Sequence, residues 1–279
     1  MGSPLHLAVA LRATGDEVFT AKHWAGLVRE AEEATLDFVT FDDSLGGEPG
    51  LDAVLTAARV APLTTRIGLV PTAVVTHTEP FHLSKAIATL DHVSEGRAGV
   101  QLEIAPDPLH AKHFGRRDNL GDLWEEASDY AEVLRRLWDS WEDGAEIRDV
   151  ATGRFIDRDK LHHIDFEGRW FKVRGPSITP RPPQGHPPIA AATPGFADIV
   201  FADTPGERVF RDVDGTADPD QLLAWQAEGF AGFRFHADLR EITQGLVPEL
   251  RKRGLFRTAY EHSTLRGHLG LAKPANQFA

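Results

Sequence analysis

Apolar residues in the first half of the chain switch repeatedly between two spacings. Residues 5–11 form an almost unbroken apolar run. Trp24, Leu27, Val28 and Ala31 then recur at the spacing of one helix face. A second strand is predicted over 37–43, followed by a helix carrying Leu51, Val54, Leu55 and Ala58. A third strand spans 66–75, interrupted by Pro71, and a helix with Leu83, Ala86, Ile87 and Leu90 follows until Gly96 stops it. The fourth strand covers 98–105, and a long helix from about 121 to 141 sets Trp124, Ala127, Ala131, Leu134 and Trp138 on one face. Four successive βα units predict a parallel sheet, and nearly continuous apolar strands predict burial on both faces. The turn after the first strand, RATGDE, lacks the glycine pattern of open dinucleotide-binding sheets. That favours an α/β, TIM-like (β/α)8 barrel.

The rhythm breaks over 142–186. Residues 163–174 alternate around Glu167-Gly168 and predict a β-hairpin, and a proline-rich extended segment follows. Both are expected as an insertion lying over the barrel mouth, within one domain spanning 1–279. Three strand-like runs come next, PIAAAT, ADIVFAD and ERVFRDV, separated by three residues each. A parallel crossover ordinarily takes roughly a dozen residues. An antiparallel hairpin over 198–213 is therefore expected, turning at Thr204-Pro205-Gly206, in a barrel shortened or irregular after its fifth strand by two missing crossover helices. The βα rhythm then returns. Asp218 suits an N-cap, Pro219 the first helical position, and Gln221 sits three residues after the cap. A strand over 231–237, a final helix kinked at Pro248, and a tail packing back on the domain complete the chain.

Charge and composition narrow the partners. The chain has 279 residues, with 30 basic against 42 acidic side chains and a formal net charge of -12. An acidic surface repels phosphate backbones and anionic lipid, so neither nucleic acid nor membrane is expected as a partner. There is no cysteine, which excludes disulfides, thiolate metal sites and a cysteine nucleophile and is compatible with the cytoplasm. No apolar run approaches the ~18 residues of a membrane span, and the start lacks the basic region of a signal peptide.

Three segments carry a family resemblance: EPFHLSKAIATLDHVSEGRAG (79–99), the stretch 130–188 containing HIDFEGRWFKVRGPSITPRPPQGHPP, and ELRKRGLFRTAYEHSTLRGHLGL (249–271). They resemble the bacterial luciferase-like flavin monooxygenases, in the nitrilotriacetate and dibenzothiophene-sulfone branch. The resemblance implies a TIM-like barrel that uses reduced FMN, supplied by a separate reductase, and O2 to oxidise a small organic substrate. A homodimer is implied by resemblance alone. Two other readings are a non-catalytic scaffold with a degenerate flavin phosphate site and a deazaflavin-dependent oxidoreductase.

The same resemblance suggests site residues. Asp43 matches an acid near the flavin ring, Thr76 and His77 occupy a pair that approaches it, and His82 matches a family position on the next helix. His77 and His82 are the catalytic candidates. Gln101 stands where the branch has Asn, Trp124 where it has Tyr, and Thr193 opens what is elsewhere a Gly-Ser-Ser phosphate turn. By period two, Gln101 and Glu103 point the same way along the fourth strand, so both are cofactor-binding candidates if that face is the lumen. A lumenal Glu103 would pair with Arg97 or a histidine. His110 and His113 have a metal-like spacing without a third ligand, so no metal site is expected. Arg181 is a candidate to meet an anionic substrate over the mouth.

Overall fold

Eight strands close into a parallel barrel, and the order in which they pair follows directly from the chain. The computed structural model describes residues 5–12, 16–46, 49–115, 117 and 121–279. The first half runs β1 (His6–Leu11), α1 (Ala21–Glu33), β2 (Phe38–Phe41), α2 (Ala53–Val60), β3 (Gly68–Val74), α3 (Pro80–Val93), β4 (Val100–Glu103), α4 (Pro108–Phe114) and α5 (Leu123–Asp139). Two small antiparallel hairpins follow, β5 (Glu146–Asp149) with β6 (Arg154–Ile156), and β7 (Phe166–Glu167) with β8 (Lys172–Val173). Then come β9 (Ile189–Ala191), β10 (Ile199–Phe201), β11 (Gly206–Asp214), α6 (Pro219–Glu228), β12 (Phe230–His236), α7 (Val247–Lys252) and α8 (Leu265–His268). The closed order is β1-β12-β11-β10-β9-β4-β3-β2.

Helix starts obey the capping chemistry of the sequence. Asp52, Asp122 and Asp218 accept hydrogen bonds from amides in the first turns of α2, α5 and α6. Outward-facing strand residues such as Leu7, Val9, Leu69 and Phe233 are fully or almost fully buried against the helices, packed with Val28, Ala57, Ile87, Leu134 and Trp138. Inward-facing residues form a second, smaller cluster of Ala8, Phe38, Val70, Ala190, Ile199, Phe201 and Phe210. Leu265 of α8 joins that cluster from below, so the tail plugs the N-terminal end of the lumen.

The hairpin expected over 198–213 does not form. β9, β10 and β11 run parallel, with Ala190 opposite Ile199 and Val200 opposite Val209. The physical reason is the length of the strands. β9 and β10 have three residues each, so the chain must climb back only about 7–10 Å and step sideways by about 4.8 Å. Residues 202–208 separate Phe201, the last paired residue of β10, from Val209, which pairs with Val200, and such a run reaches about 23–25 Å when extended. No helix is needed. The loop below β10 is held by Arg135 of α5, which donates to the Phe196 carbonyl at 2.6 Å and to Asp198 at 3.1 Å.

Other expectations shift in detail. The proline-rich segment does not cover the mouth. It passes the N-terminal end of the barrel, where the buried Arg181 donates to Asp139 at 3.1 and 3.0 Å and to Asp143 at 2.8 Å. Arg181 is thus a structural clasp at the opposite end from any substrate. The β7–β8 hairpin does reach the mouth side, with Trp170 and Phe171 beside His77 and Glu126. Between β4 and the long helix, α4 spans Pro108–Phe114. The final helical stretch changes from a π-helical turn over Glu241–Leu246 to α7 one residue before Pro248.

Candidate functional site

At the C-terminal ends of β1, β2, β4 and β12 the barrel opens into a cavity of about 730 Å3. Its walls combine apolar side chains, Leu11, Val18, Trp24 and Leu51, with Arg12, Asp42, Asp43, Gln101, Glu103, Arg234 and His236. Strand parity brings the polar groups together. Thr72 faces Gln101 across β3 and β4, Gln101 faces Ala190, and Asp212 faces Arg234 across β11 and β12. All lie on the lumenal face, one or two residues above the apolar layer.

Arg234 organises the floor. It is 5% exposed and forms a bidentate pair with Asp212 at 2.6 and 2.7 Å. Its remaining terminal nitrogen donates to the Gln101 side-chain oxygen at 2.8 Å. Its guanidinium stacks 3.5 Å from the centre of the Phe201 ring. His236 Nε2 lies 3.1 Å from Asp212 Oδ1. Burial works against the charge of Asp212, but hydrogen bonds and positive charge from His236 and Arg234 outweigh it and bring its pKa down to about 2. Because the Gln101 oxygen is engaged by Arg234, its amide nitrogen is oriented as a donor toward the cavity. Thr72 Oγ1, on a residue 2% exposed, and His236 Nδ1 are buried without a partner.

Two carboxylates complete the wall. Burial raises the pKa of Asp43, which accepts from the Ala53 amide at 3.0 Å. Desolvation also raises Glu103, reinforced by Asp42 and Asp43 and opposed by Arg234. Asp42 itself is paired with Arg12 at 2.8 Å. Glu103 does not pair with Arg97. That arginine is buried at the other end of the barrel, with its guanidinium nitrogens donating to the carbonyls of Ala61, Thr64, Ile67 and Ser94 and to the Thr64 hydroxyl.

The sequence-derived candidates thus divide. Asp43, Gln101 and Glu103 meet in the cavity. Thr76 is buried and accepts from the Ala105 amide at 3.0 Å, a bond that ties β3 to β4. His77 lies outside the main cavity. Its backbone takes a left-handed φ of 73°, its ring stacks on Phe114 at 5.2 Å, and it lines a second cavity of about 340 Å3 with Arg117, Glu126 and Trp170. His82 is exposed on α3, Trp124 is exposed at the start of α5, and Thr193 lies half-buried in the loop after β9. His110 and His113 stack on each other on α4. No group of three or more His, Cys, Asp or Glu side chains converges as a metal site among the described residues. Arg12, Asp42, Asp212, Arg234 and His236 were missed by sequence reasoning. The signal was there in FRFH and RDVD, whose alternation sets charged residues on a face otherwise filled by Phe and Val.

Comparison with known proteins places this geometry in a lineage. The profile of the family described as luciferase-like monooxygenase matches residues 4–201. Nitrilotriacetate monooxygenase component A of Aminobacter aminovorans is 37% identical over 68% of this chain and 47% of its own length. Dibenzothiophene-sulfone monooxygenase of Rhodococcus erythropolis is 28% identical over 81% of this chain and 59% of its own. The chain therefore spans about half the length of the curated relatives it matches. Among solved structures, an EDTA monooxygenase from Chelativorans sp. BNC1 superposes with a TM-score of 0.83 at 19% identity, covering 97% of this chain and 99% of that one.

Proposed function

Since the chain belongs to the luciferase-like monooxygenase family, we propose that it is a flavin-dependent monooxygenase whose barrel cavity holds the flavin ring beside a small organic substrate. The observation that carries this reading is the lumenal donor set. Gln101, locked by Arg234, offers an amide N–H, and Thr72 Oγ1 and His236 Nδ1 are buried polar atoms with no protein partner. A buried polar atom left unpaired is costly, and a heteroaromatic ring edge with alternating donors and acceptors would satisfy such a set. The cavity volume falls within the roughly 300–1,000 Å3 typical of small-molecule sites.

A reduced flavin bound there would supply the electrons that activate O2 for transfer of one oxygen atom to the substrate. The protein's own contribution is placement and electrostatics. Arg234 holds a positive charge at the floor, where it would favour an electron-rich ring. Leu11, Val18, Trp24 and Leu51 exclude water from one wall. The family resemblance points to FMN reduced by a separate reductase and to a homodimer. The ring end of FMN fits this cavity. The loop after β9, where the resemblance puts the phosphate turn, offers its phosphate end no helix N-terminus, since Pro194 follows Thr193 and the chain returns to β10 without a helix.

Fluorescence titration of purified protein with riboflavin and FMN, followed by oxygen uptake with reduced flavin and an added reductase, tests the reading. Flavin binding with oxygen-dependent turnover of a small-molecule panel is the expected result. No binding of any flavin at about 1 mM, an affinity weaker than roughly 4 kcal/mol, would leave only the non-catalytic scaffold. Binding of a deazaflavin in preference to both flavins would move the chain to the oxidoreductase reading.

A further inference from the structure

The geometry points to a flavin taken without its phosphate: we infer that this cavity prefers riboflavin to FMN, because carboxylates line its wall and occupy the α2 N-terminus beside it. The inference rests on the flavin reading above and concerns which form of the cofactor enters.

In a barrel of this kind the chain leaves each strand at the mouth and enters the next helix there, so helix N-termini surround the site. Free amides at such an N-terminus are the usual seat of a phosphate. Acids cap those of α2, α5 and α6, while α1 is capped by the Thr20 hydroxyl, which accepts from the His23 amide at 3.4 Å. At α2, beside the cavity, Asp43 takes the Ala53 amide at 3.0 Å and Asp52 takes the Leu55 amide at 2.7 Å. At α5, Asp122 takes the amides of Trp124 and Glu125, both at 3.0 Å, and Glu125 and Glu126 fill the first turn. At α6, Asp218 takes the Asp220 amide at 2.8 Å. The helix α3 opens Glu79-Pro80 without a side-chain cap, and the proline at its first position removes one of its amides.

The two arginines of the cavity wall are already paired. Arg12 is committed to Asp42, and Arg234 to Asp212 and Gln101. What remains in the cavity wall is Asp43 and Glu103, neither of which has a cationic hydrogen-bond partner among the described residues. The orphaned Thr72 hydroxyl marks the same wall as ligand-facing. A ring and its ribityl hydroxyls can answer these groups, since hydroxyls donate to carboxylates. A phosphate dianion meets like charge instead.

The test is parallel titration of riboflavin and FMN into the full chain, followed by flavin fluorescence, at about 20 mM and about 500 mM salt. A dianion held near two carboxylates in a largely aqueous mouth is disfavoured by about fivefold or more. Riboflavin is therefore expected to bind at least about fivefold more tightly at low salt. The gap should narrow at high salt, where charges more than about 4 Å apart are screened. Glu103→Gln, which keeps the shape and removes the charge, should bring the ratio of riboflavin to FMN affinity at low salt closer to one. FMN binding equal to or tighter than riboflavin at low salt overturns the inference while the flavin reading stands. Binding of neither at about 1 mM overturns both.

Discussion

At the scale of single residues, the site depends on one buried arginine. Arg234 is compensated by Asp212, and Asp212 carries a lowered pKa because Arg234 and His236 sit against it. Removing one partner of such a pair leaves the other charge uncompensated, which costs about 3–5 kcal/mol when both are buried. The Asp212 side chain is 40% exposed, so water offsets part of the loss. Arg234→Met should therefore lower stability by about 2 kcal/mol in urea unfolding, and Arg234→Met/Asp212→Leu should recover most of it. A double variant as unstable as the single one would mean that the stack on Phe201, not the charge pair, holds Arg234. Period two was enough to place Gln101 and Glu103 on one face of β4. The same rule applied to FRFH would have added Arg234 and His236 to that face. What it could not supply was the partner, because Asp212 comes from a strand whose direction was misread.

At the scale of elements, the barrel is closed from below by a helix of one turn. Leu265 is fully buried among Phe38, Val70 and Phe210. It sits so close to β3 that a Cβ on Gly68 would lie 2.6 Å from Leu265 Cδ1 and 2.8 Å from Phe38 Cβ. Deleting a leucine side chain from such a site costs about 2–5 kcal/mol in transfer and cavity terms. Leu265→Ala should fall in that range by thermal or urea unfolding, with flavin affinity within about twofold of the parent because the lesion lies at the far end of the lumen. A loss below about 1 kcal/mol would show that α8 is not the floor. The βα units of the first half were readable because a helix of eight residues or more separates each of the first three strands from the next. β9 to β11 were not, since the rule that parallel crossovers need a dozen residues assumes strands of ordinary length. With three-residue strands, a short loop suffices for a parallel return, and hydrophobic pattern alone cannot distinguish that from a hairpin.

At the scale of the whole molecule, four separate segments meet at Asp91 and its partner Gln184. It is fully buried at the end of α3. Its Oδ1 accepts from Gln184 Nε2 at 2.6 Å and from the Ala98 amide at 3.2 Å, and its Oδ2 accepts from the Gln184 amide at 3.0 Å. Gln184 in turn accepts from the Arg266 amide at 2.8 Å, joining α3, β4, the proline-rich segment and the tail. Burial outweighs these bonds and raises the Asp91 pKa to about 6. The folded chain then holds this proton more tightly than the unfolded chain, where the group titrates near 4. Between those values the folded state binds more protons, so the stability contributed by Asp91 falls as pH rises from about 4 to about 6 and stays lower above that. A shift of about two units corresponds to about 3 kcal/mol. Asp91→Asn removes the titration and loses an acceptor, which costs a nearly constant amount at every pH. The stability of the parent relative to Asp91→Asn should therefore decline by about 2 kcal/mol between pH 4 and pH 7 in urea unfolding. A difference that is flat with pH, or that grows as pH rises, would mean that the hydrogen bonds from Gln184 and Ala98 outweigh desolvation. In that case the junction would be held by an ionised carboxylate, and the barrel's lower end would weaken with acid instead of with base.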